Sequence, residues 1–424
     1  MSIHHTMMKD SGISWIGFIP ENWDVLPLKR VITCLDGRRV PIDASMRTSG
    51  PYPYWGAGNI VDYINQYLFD EELVLLGEDG SPFFDKTRPV AFHINEKVWV
   101  NNHIHVLKAE GIDAEYLTFV LNAVDYHEYI TGSILPKLTQ SDMNSIIIPI
   151  PSYQEQIGIS NVLSLKCGTI DRAITTYNDM ICSLYEMKKS IISEVVTKGL
   201  DSNVTLKDSG VDWIGSIPES WGQTKVSNQY DVTLGKMLCT SPETPDSTEE
   251  NYLCSANVKR NGIEGDIKTM WFTPKEKEEY LLKKGDLIVS EGGNAGTPMI
   301  YDGSRDPCYI QNAVHRVRAY DNQDIRNRFL YYWMSFAKDI GYVDLVCNKA
   351  TIAHFTKKKL MEMPVVSIDL DTMSDIVHHL DSKCTQIDLE INYTSGLIDT
   401  MSDYKQSLIY EYVTGKKSVD MEAS

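Results

Sequence analysis

The sequence predicts an α+β protein: two pseudo-symmetric globules separated by two long helices that form an antiparallel coiled coil. Three observations carry this reading. Residues 9–23 read KDSGISWIGFIPENW and residues 207–221 read KDSGVDWIGSIPESW, identical at 11 of 15 positions with no gap, at a displacement of 198. Ile170-Asp171, Lys188, Ser190 and Glu194-x-Val196-Thr197 return as Ile387-Asp388, Lys405, Ser407 and Glu411-x-Val413-Thr414, now displaced by 217. The period grows across the unit, so each copy has a preserved frame around a variable middle. Two copies with a period near 200 are too few and too long for a solenoid and imply two domains related by a pseudo-two-fold.

Taken in order, the chain opens on the repeat W-I-G-x-I-P-E-x-W, whose two tryptophans flank a Gly and a Pro. That composition suits an extended, turn-containing segment pinned by aromatic burial. The first middle alternates short β-rich runs with turns: 28–33, 52–56, 73–76, 90–94 and 104–107 are expected strands, and 115–129 has helical apolar spacing. The second middle repeats the order of signals, with 287–293 answering 75–80, Gln311-Asn312-Ala313-Val314-His315 answering Asn101-Asn102-His103-Ile104-His105, and a helix over 328–336.

Each copy closes on a heptad helix. Ile170, Ile174, Tyr177, Ile181, Leu184, Lys188, Ile191 and Val195 alternate steps of four and three, and Ile387, Ile391, Thr394, Ile398, Met401, Lys405, Leu408 and Tyr412 step identically. Even the off-pattern lysine recurs at one seam position, where a buried polar group can set register. The expected segments are 1–150 for the first globule with its repeat, 151–206 for the first helical spacer, 207–364 for the second globule with its repeat, and 365–424 for the second helical region. Paired antiparallel, the helices would hold the globules apart by a seam of roughly 40 Å, close to one turn of duplex DNA.

Composition narrows the function. The chain has 424 residues, 42% hydrophobic and 10% aromatic, as expected of a soluble, cytoplasmic globular protein. Its eight cysteines show no C-x-x-C pair, which argues against both a disulfide framework and a zinc site. The net charge of −18 argues against simple nucleic-acid binding, but it is uneven. Residues 24–150 hold 10 basic and 17 acidic side chains, residues 222–364 hold 19 of each, and residues 365–424 hold 4 and 11. Any polyanion contact is therefore local. A phosphate-cradling G-x-x-x-x-G-K-[ST] loop, a dinucleotide G-x-G-x-x-G, H-E-x-x-H, G-x-S-x-G and an Asn-Pro-Pro-aromatic methyltransferase signature are all missing, which lowers the enzyme prior. No metal site is expected, His378-His379 included.

The tandem K-D-S-G-x-x-W-I-G-x-I-P-E-x-W, the divergent middles, and helices entered through segments like Pro149-Ile150-Pro151-Ser152-Tyr153-Gln154-Glu155-Gln156 resemble the specificity subunit of type I restriction-modification systems. The likeness covers nearly the whole chain, with one departure: Asp371-Thr372-Met373 stands where Gln154-Glu155-Gln156 would recur. The resemblance implies that each middle is a target-recognition domain reading one half of an interrupted DNA sequence. It implies helices that dock two modification subunits carrying S-adenosylmethionine, a motor and endonuclease subunit joining for cleavage, and no catalysis or cofactor in this chain. Ile170, Ile174, Ile181, Leu184, Ile387, Ile391, Ile398 and Met401 are then the partner-binding helix positions.

DNA contacts are expected from residue type and loop placement. In the first domain these are Arg38 and Arg39 after the Asp36-Gly37 turn, Lys86 and Arg88, and Lys137; in the second, Lys236, Asn257, Lys259, Arg260, Lys349 and Thr351. Arginine can grip guanine and asparagine adenine, whereas lysine more often neutralises phosphate. Asn102, His105, Asn312 and His315 recur in both copies and are read as structural, since base-reading residues should differ between domains with different targets. Competing readings are the recognition subunit of a related system cutting on both sides of its site, a nuclease with an unrecognised site, and a coiled-coil scaffold that never touches DNA.

Overall fold

The computed structural model describes residues 7–85, 87–130, 136–347 and 354–419. The chain divides into two compact units, Met1–Asp179 with Tyr393–Ser424, and Met180–Asn392. Only the second is a contiguous stretch of sequence, and each takes part of both long helices.

The first unit centres on a four-stranded antiparallel sheet of β1 (Ile32–Cys34), β2 (Leu73–Gly77), β3 (Ala91–Ile94) and β4 (Ile104–Ala109), in the order β1-β4-β2-β3. Helix α1 (Ala114–Ala123) follows β4, its N-terminus capped by Asp113, whose side chain accepts the Tyr116 N–H. It ends earlier than the apolar spacing predicts, because Asp125 caps a new 3-10 turn at Tyr126–Glu128. The stretch 28–30, expected as strand, is likewise a 3-10 turn, with Pro27 as its N-cap.

The second unit repeats this topology. Its strands β5 (Tyr230–Leu234), β6 (Leu287–Ser290), β7 (Pro298–Ile300) and β8 (Val314–Ala319) lie in the order β5-β8-β6-β7. Each unit adds a three-stranded sheet with one parallel pairing: Ser49–Trp55 with Ile60–Ile64 and Trp99–Val100 in the first, Thr248–Leu253 with Lys268–Phe272 and Tyr309–Ile310 in the second. The repeat forms a small ribbon in both, pairing Met8 with Pro20 and Leu206 with Pro218. Two units of mixed helix and strand content are what the sequence pattern predicted.

Two helices dominate the remainder, α2 (Tyr153–Lys198, 46 residues) and α4 (Leu370–Val413, 44 residues), while α3 (Asp324–Asp339) answers α1. Every heptad position from Ile170 to Val195 and from Ile387 to Tyr412 is buried or half-buried, while most positions between are exposed. Helix α2 starts well before the heptad seam. Ser152 and Glu155 form a reciprocal cap there, with Glu155 N–H donating to Ser152 Oγ at 3.3 Å and Ser152 N–H to Glu155 Oε2 at 3.2 Å. Helix α4 is capped instead by Asp369, which accepts the Thr372 N–H at 2.8 Å. Gln156 and Met373, where the copies diverge, both point inward. Gln156 is 1% exposed and accepts the Asp113 N–H at 2.8 Å, whereas Met373 is fully buried in the apolar core.

Each helix ends against a repeat segment. Gly199 and Gly415 adopt φ of +77° and +69°, the left-handed conformation that closes a helix. A Cβ on Gly199 would sit 3.1 Å from the Trp221 ring, and one on Gly415 only 2.3 Å from Pro20. The invariant aromatic and proline of the repeat are therefore the surfaces that receive the helix ends. In the first unit Trp15, Ile16, Ile19 and Trp23 share a core with Leu163 of α2 and Leu408, Tyr412 and Val413 of α4. In the second, Ile214, Ile217 and Trp221 share one with Val195 and Val196 of α2, Ile376 and Leu380 of α4, and Phe329 and Trp333 of α3.

The recurring seam lysines gain a physical role here. In the first unit Lys405 Nζ lies 2.6 Å from Asp171, and in the second Lys188 Nζ lies 2.7 Å from Asp388. Each is the image of the other under the 217-residue displacement.

Candidate nucleic-acid interface

The residues expected to contact DNA fall into three groups. The first holds the fold together. Arg39 has a 14% exposed side chain and donates to Glu78 at 2.6 Å and to the Ile104 carbonyl at 2.9 Å, and it sits 3.4 Å from Asp36. Lys236, 7% exposed at its side chain, donates to Glu276 at 2.6 Å. Asn257, 4% exposed, accepts the Cys254 N–H at 3.2 Å and donates to the Glu264 and Asp266 carbonyls at 2.9 and 3.1 Å. Buried charges and amides persist only when paired in this way. These three side chains are correspondingly spent inside their own units, a correction to their reading as free contact residues.

The second group is accessible but paired. Arg38 lies over the Phe69 ring and reaches Glu71 at 2.7 Å with about half of its side chain exposed. Lys137, 48% exposed, sits 3.2 Å from Glu78. Arg260 grips Asp339 with both guanidinium nitrogens, at 2.9 and 2.7 Å. The cations of Arg38 and Lys137 are about half exposed, so these pairs can exchange partners, whereas Arg260 and Asp339 are the more enclosed. Arg88 is exposed, and Lys259 is half-buried on a two-residue strand facing Gly262. Lys86, Lys349 and Thr351, the third group, lie outside the described residues.

The helix positions expected to bind partners also turn inward. Ile387 and Ile391 are 8% and 7% exposed, and Ile170, Ile174, Ile181, Leu184, Ile398 and Met401 are half-buried along the seam. The outward apolar side chains are others: Leu165 and Met187 on α2, Tyr393 and Tyr404 on α4, each at least half exposed. A heptad search finds the seam and cannot see the opposite face.

Between β1 and β4 lies a polar cluster. His105, 1% exposed, meets Asp36 at 2.6 Å through Nδ1 and the Leu138 carbonyl at 2.9 Å through Nε2, so a ring donating from both nitrogens satisfies both. Burial raises the Asp36 and Glu78 carboxyls, but hydrogen bonds and charge from His105 and Arg39 outweigh it and hold both below their ordinary values. Asp36, Glu78 and His105 have the donor types and closeness of a metal site. Arg39 and Lys137 already neutralise the carboxylates, so a cation does not fit.

The second unit solves the same position differently. His315 stands directly across from Leu234, where His105 meets Asp36 of the turn just past β1, and donates only to the Phe355 carbonyl, at 3.0 Å. Its Nδ1 has no partner, and burial pushes the ring down to about 4. Both histidines are buried, in keeping with their reading as structural.

Among the described residues, sequence reasoning missed the exposed apolar side chains on the loops after β1 and β5. Val40 and Met46 are 44% and 74% exposed, and Met237 and Leu238 are 74% and 57%. A search for basic and amide side chains passes over them, though all follow the Gly37 and Gly235 turns.

Residues 20–172 and 233–392 match the type I restriction modification DNA specificity domain. The chain belongs to that family. Each matched segment of this specificity-family chain runs through one globule into a long helix. Among similar proteins is a putative type I restriction enzyme specificity subunit of Haemophilus influenzae, 26% identical over 317 residues, covering 74% of this chain and 76% of the relative. Another is a type I restriction enzyme specificity subunit of Methanocaldococcus jannaschii, 24% identical over 388 residues, covering 83% and 87%. A solved chain of a type I R-M system superposes with a TM-score of 0.67 at 14% identity, covering 94% of this chain and 99% of that one, which shows a shared fold. No helix among the described residues is long and apolar enough to cross a membrane.

Proposed function

We propose that this chain is the DNA-reading subunit of a type I restriction-modification complex. Each unit reads one half of an interrupted target, and α2 and α4 form an antiparallel coiled coil whose outer faces dock two modification subunits. Those subunits would bring S-adenosylmethionine and transfer its methyl group to adenine, and a motor and endonuclease subunit would add cleavage. This chain supplies sequence selection and no catalytic group.

The observation that carries the reading is one topology built twice on a repeated frame, with the differences concentrated in the middles. Function on variable loops over a rigid scaffold takes this form. The uneven charge supports it: the second middle is balanced while the helical region 365–424 is acidic, which suits phosphate contact by the former and protein contact by the latter. Arg38, Lys137 and Arg260 keep about half to a third of their side chains exposed while paired with a carboxylate, which fits cations that can turn to a phosphate on binding.

The test is a genome-wide map of methylated adenine with the gene intact and deleted. A bipartite motif that disappears on deletion supports the reading and reports both half-sites with their spacing. A bipartite motif that persists in the deleted strain refutes it.

A further inference from the structure

The loop after β5 holds two apolar side chains in solvent on a rigid mount. Met237 and Leu238 are 74% and 57% exposed. The residue before them is fixed three times over: Lys236 donates its N–H to the Ile310 carbonyl at 3.0 Å, accepts from the Asn312 N–H at 2.8 Å, and pairs with Glu276 at 2.6 Å. The residue after them, Cys239, accepts the Trp271 N–H at 3.0 Å. The tip is thus clamped at both ends, and its two side chains are kept from folding back onto their own core.

The first unit builds the same device from other residues. Arg39 is anchored to Glu78 and to the Ile104 carbonyl, Val40 next to it is 44% exposed, and the Val40 carbonyl is held by Trp99 Nε1–H at 2.6 Å. Buried cations that looked like contact residues are therefore mounts for apolar neighbours. Both mounts are buried cations just after the Gly37 and Gly235 turns, though one residue out of step with each other, and the tips differ, Val against Met and Leu, as is required of residues that read different sequences.

Resting on the DNA-reading function proposed above, we infer that Met237 and Leu238 determine specificity in one half-site by packing on the C5 methyl of thymine in the major groove. Aliphatic and thioether side chains offer no strong donor or acceptor, so they discriminate by apolar contact, and the thymine methyl is the apolar group on the base edges of that groove. Lys275, exposed and adjacent to the Glu276 that holds Lys236, is available to a neighbouring phosphate.

The test uses the chain assembled with its modification subunits and synthetic duplexes bearing its motif. Each thymine is replaced in turn by deoxyuridine, which lacks only the methyl, and the initial methylation rate is compared for wild type and M237A/L238A. At one position wild type should lose roughly three- to fourfold, the ratio set by burying one methyl-sized group. The variant should be slower on thymine and indifferent to uracil there. A motif without thymine, a wild type indifferent at every position, or a variant as sensitive as wild type would overturn the inference while leaving the DNA-reading function standing. A variant that no longer assembles with the modification subunits would also overturn it, by showing that the tip meets protein. A wild-type complex with no sequence preference at all would instead sink the underlying function.

Discussion

Acidification should weaken the second unit through one residue, His315. Its ring is fully buried and held down to about 4 from an ordinary 6.5, because burial penalises the cation and Nδ1 faces no acceptor. The unfolded chain binds a proton between those values that the folded chain refuses, so this contribution is complete above about 6.5 and is lost as pH falls toward 4. Between pH 7 and pH 5 the loss is roughly 2 kcal/mol, or about 20- to 30-fold in the opening equilibrium. Glu291, whose Oε2 lies 3.9 Å from the ring, is itself raised by burial and acts in the opposite sense, and Lys357 disfavours the imidazolium. Hydrogen exchange of the β6 and β8 amides, corrected for intrinsic rates, would follow the effect, with β4 of the first unit as control. H315Q keeps a donor for the Phe355 carbonyl without a titratable ring and should remove this part of the pH dependence. L234D places a carboxylate where Asp36 stands in the first unit and should do so by accommodating the cation. An equal fall in protection in H315Q would refute the reasoning.

Removing Arg39 leaves Glu78 and Asp36 without their guanidinium, so R39A should destabilise the first unit by about 2–4 kcal/mol, measured as a urea midpoint shift, with the second unit unchanged. Double-mutant cycles on Lys405 with Asp171 and on Lys188 with Asp388 should each return a coupling of only about 0.3–1 kcal/mol, since both pairs are partly exposed. The coupling at Lys188, the less exposed ammonium, should be the larger and the less sensitive to salt. G415A should cost more than G199A in thermal stability. Both incur about 1 kcal/mol for a left-handed alanine, but only Gly415 has rigid proline atoms 2.3 Å from the new methyl.

The frame was legible because its signals are local and periodic. The repeat announced the ribbons, the heptads announced the seam, and short apolar runs announced β2, β3 and β4. What escaped were pairings between residues far apart in sequence. Arg39 reads as a loop cation until Glu78 and the Ile104 carbonyl are beside it, and Asn257 reads as a base reader until three backbone groups surround it. The seam isoleucines read as partner-binding because a heptad stripe does not reveal which helix fills it. The sequence shows Asp371-Thr372-Met373 where Gln154-Glu155-Gln156 would recur, but not what the exchange does. It is a change of capping and core, with Gln156 serving the Asp113 N–H and Met373 serving only apolar packing.

The two histidines show how far a duplicated frame can drift before it loses its shape. His105 and His315 occupy one position, on the strand pairing with the edge strand that leads into the variable loop, and both send Nε2 to a carbonyl of the segment that precedes the sheet-closing helix turn. What changed is the residue facing the ring, Asp36 in one unit and Leu234 in the other. That single exchange converts a fully bonded ring into an apolar-faced one with an unpaired nitrogen. The carbonyl bond is the contact the two units share, whereas Asp36 adds a bond of its own to the β4 backbone, accepting the Val106 N–H at 2.8 Å. It follows that exchanging Asp36 for Leu should unbalance the charges of Arg39 and Lys137 before it disturbs β1 or β4. A D36L chain would lose protection at the Val106 amide, which donates to Asp36 Oδ1 at 2.8 Å, and around Arg39, while the other β4 amides keep their exchange pattern at neutral pH; early loss across all of β4 would show that the carboxylate, not the carbonyl, holds the strand.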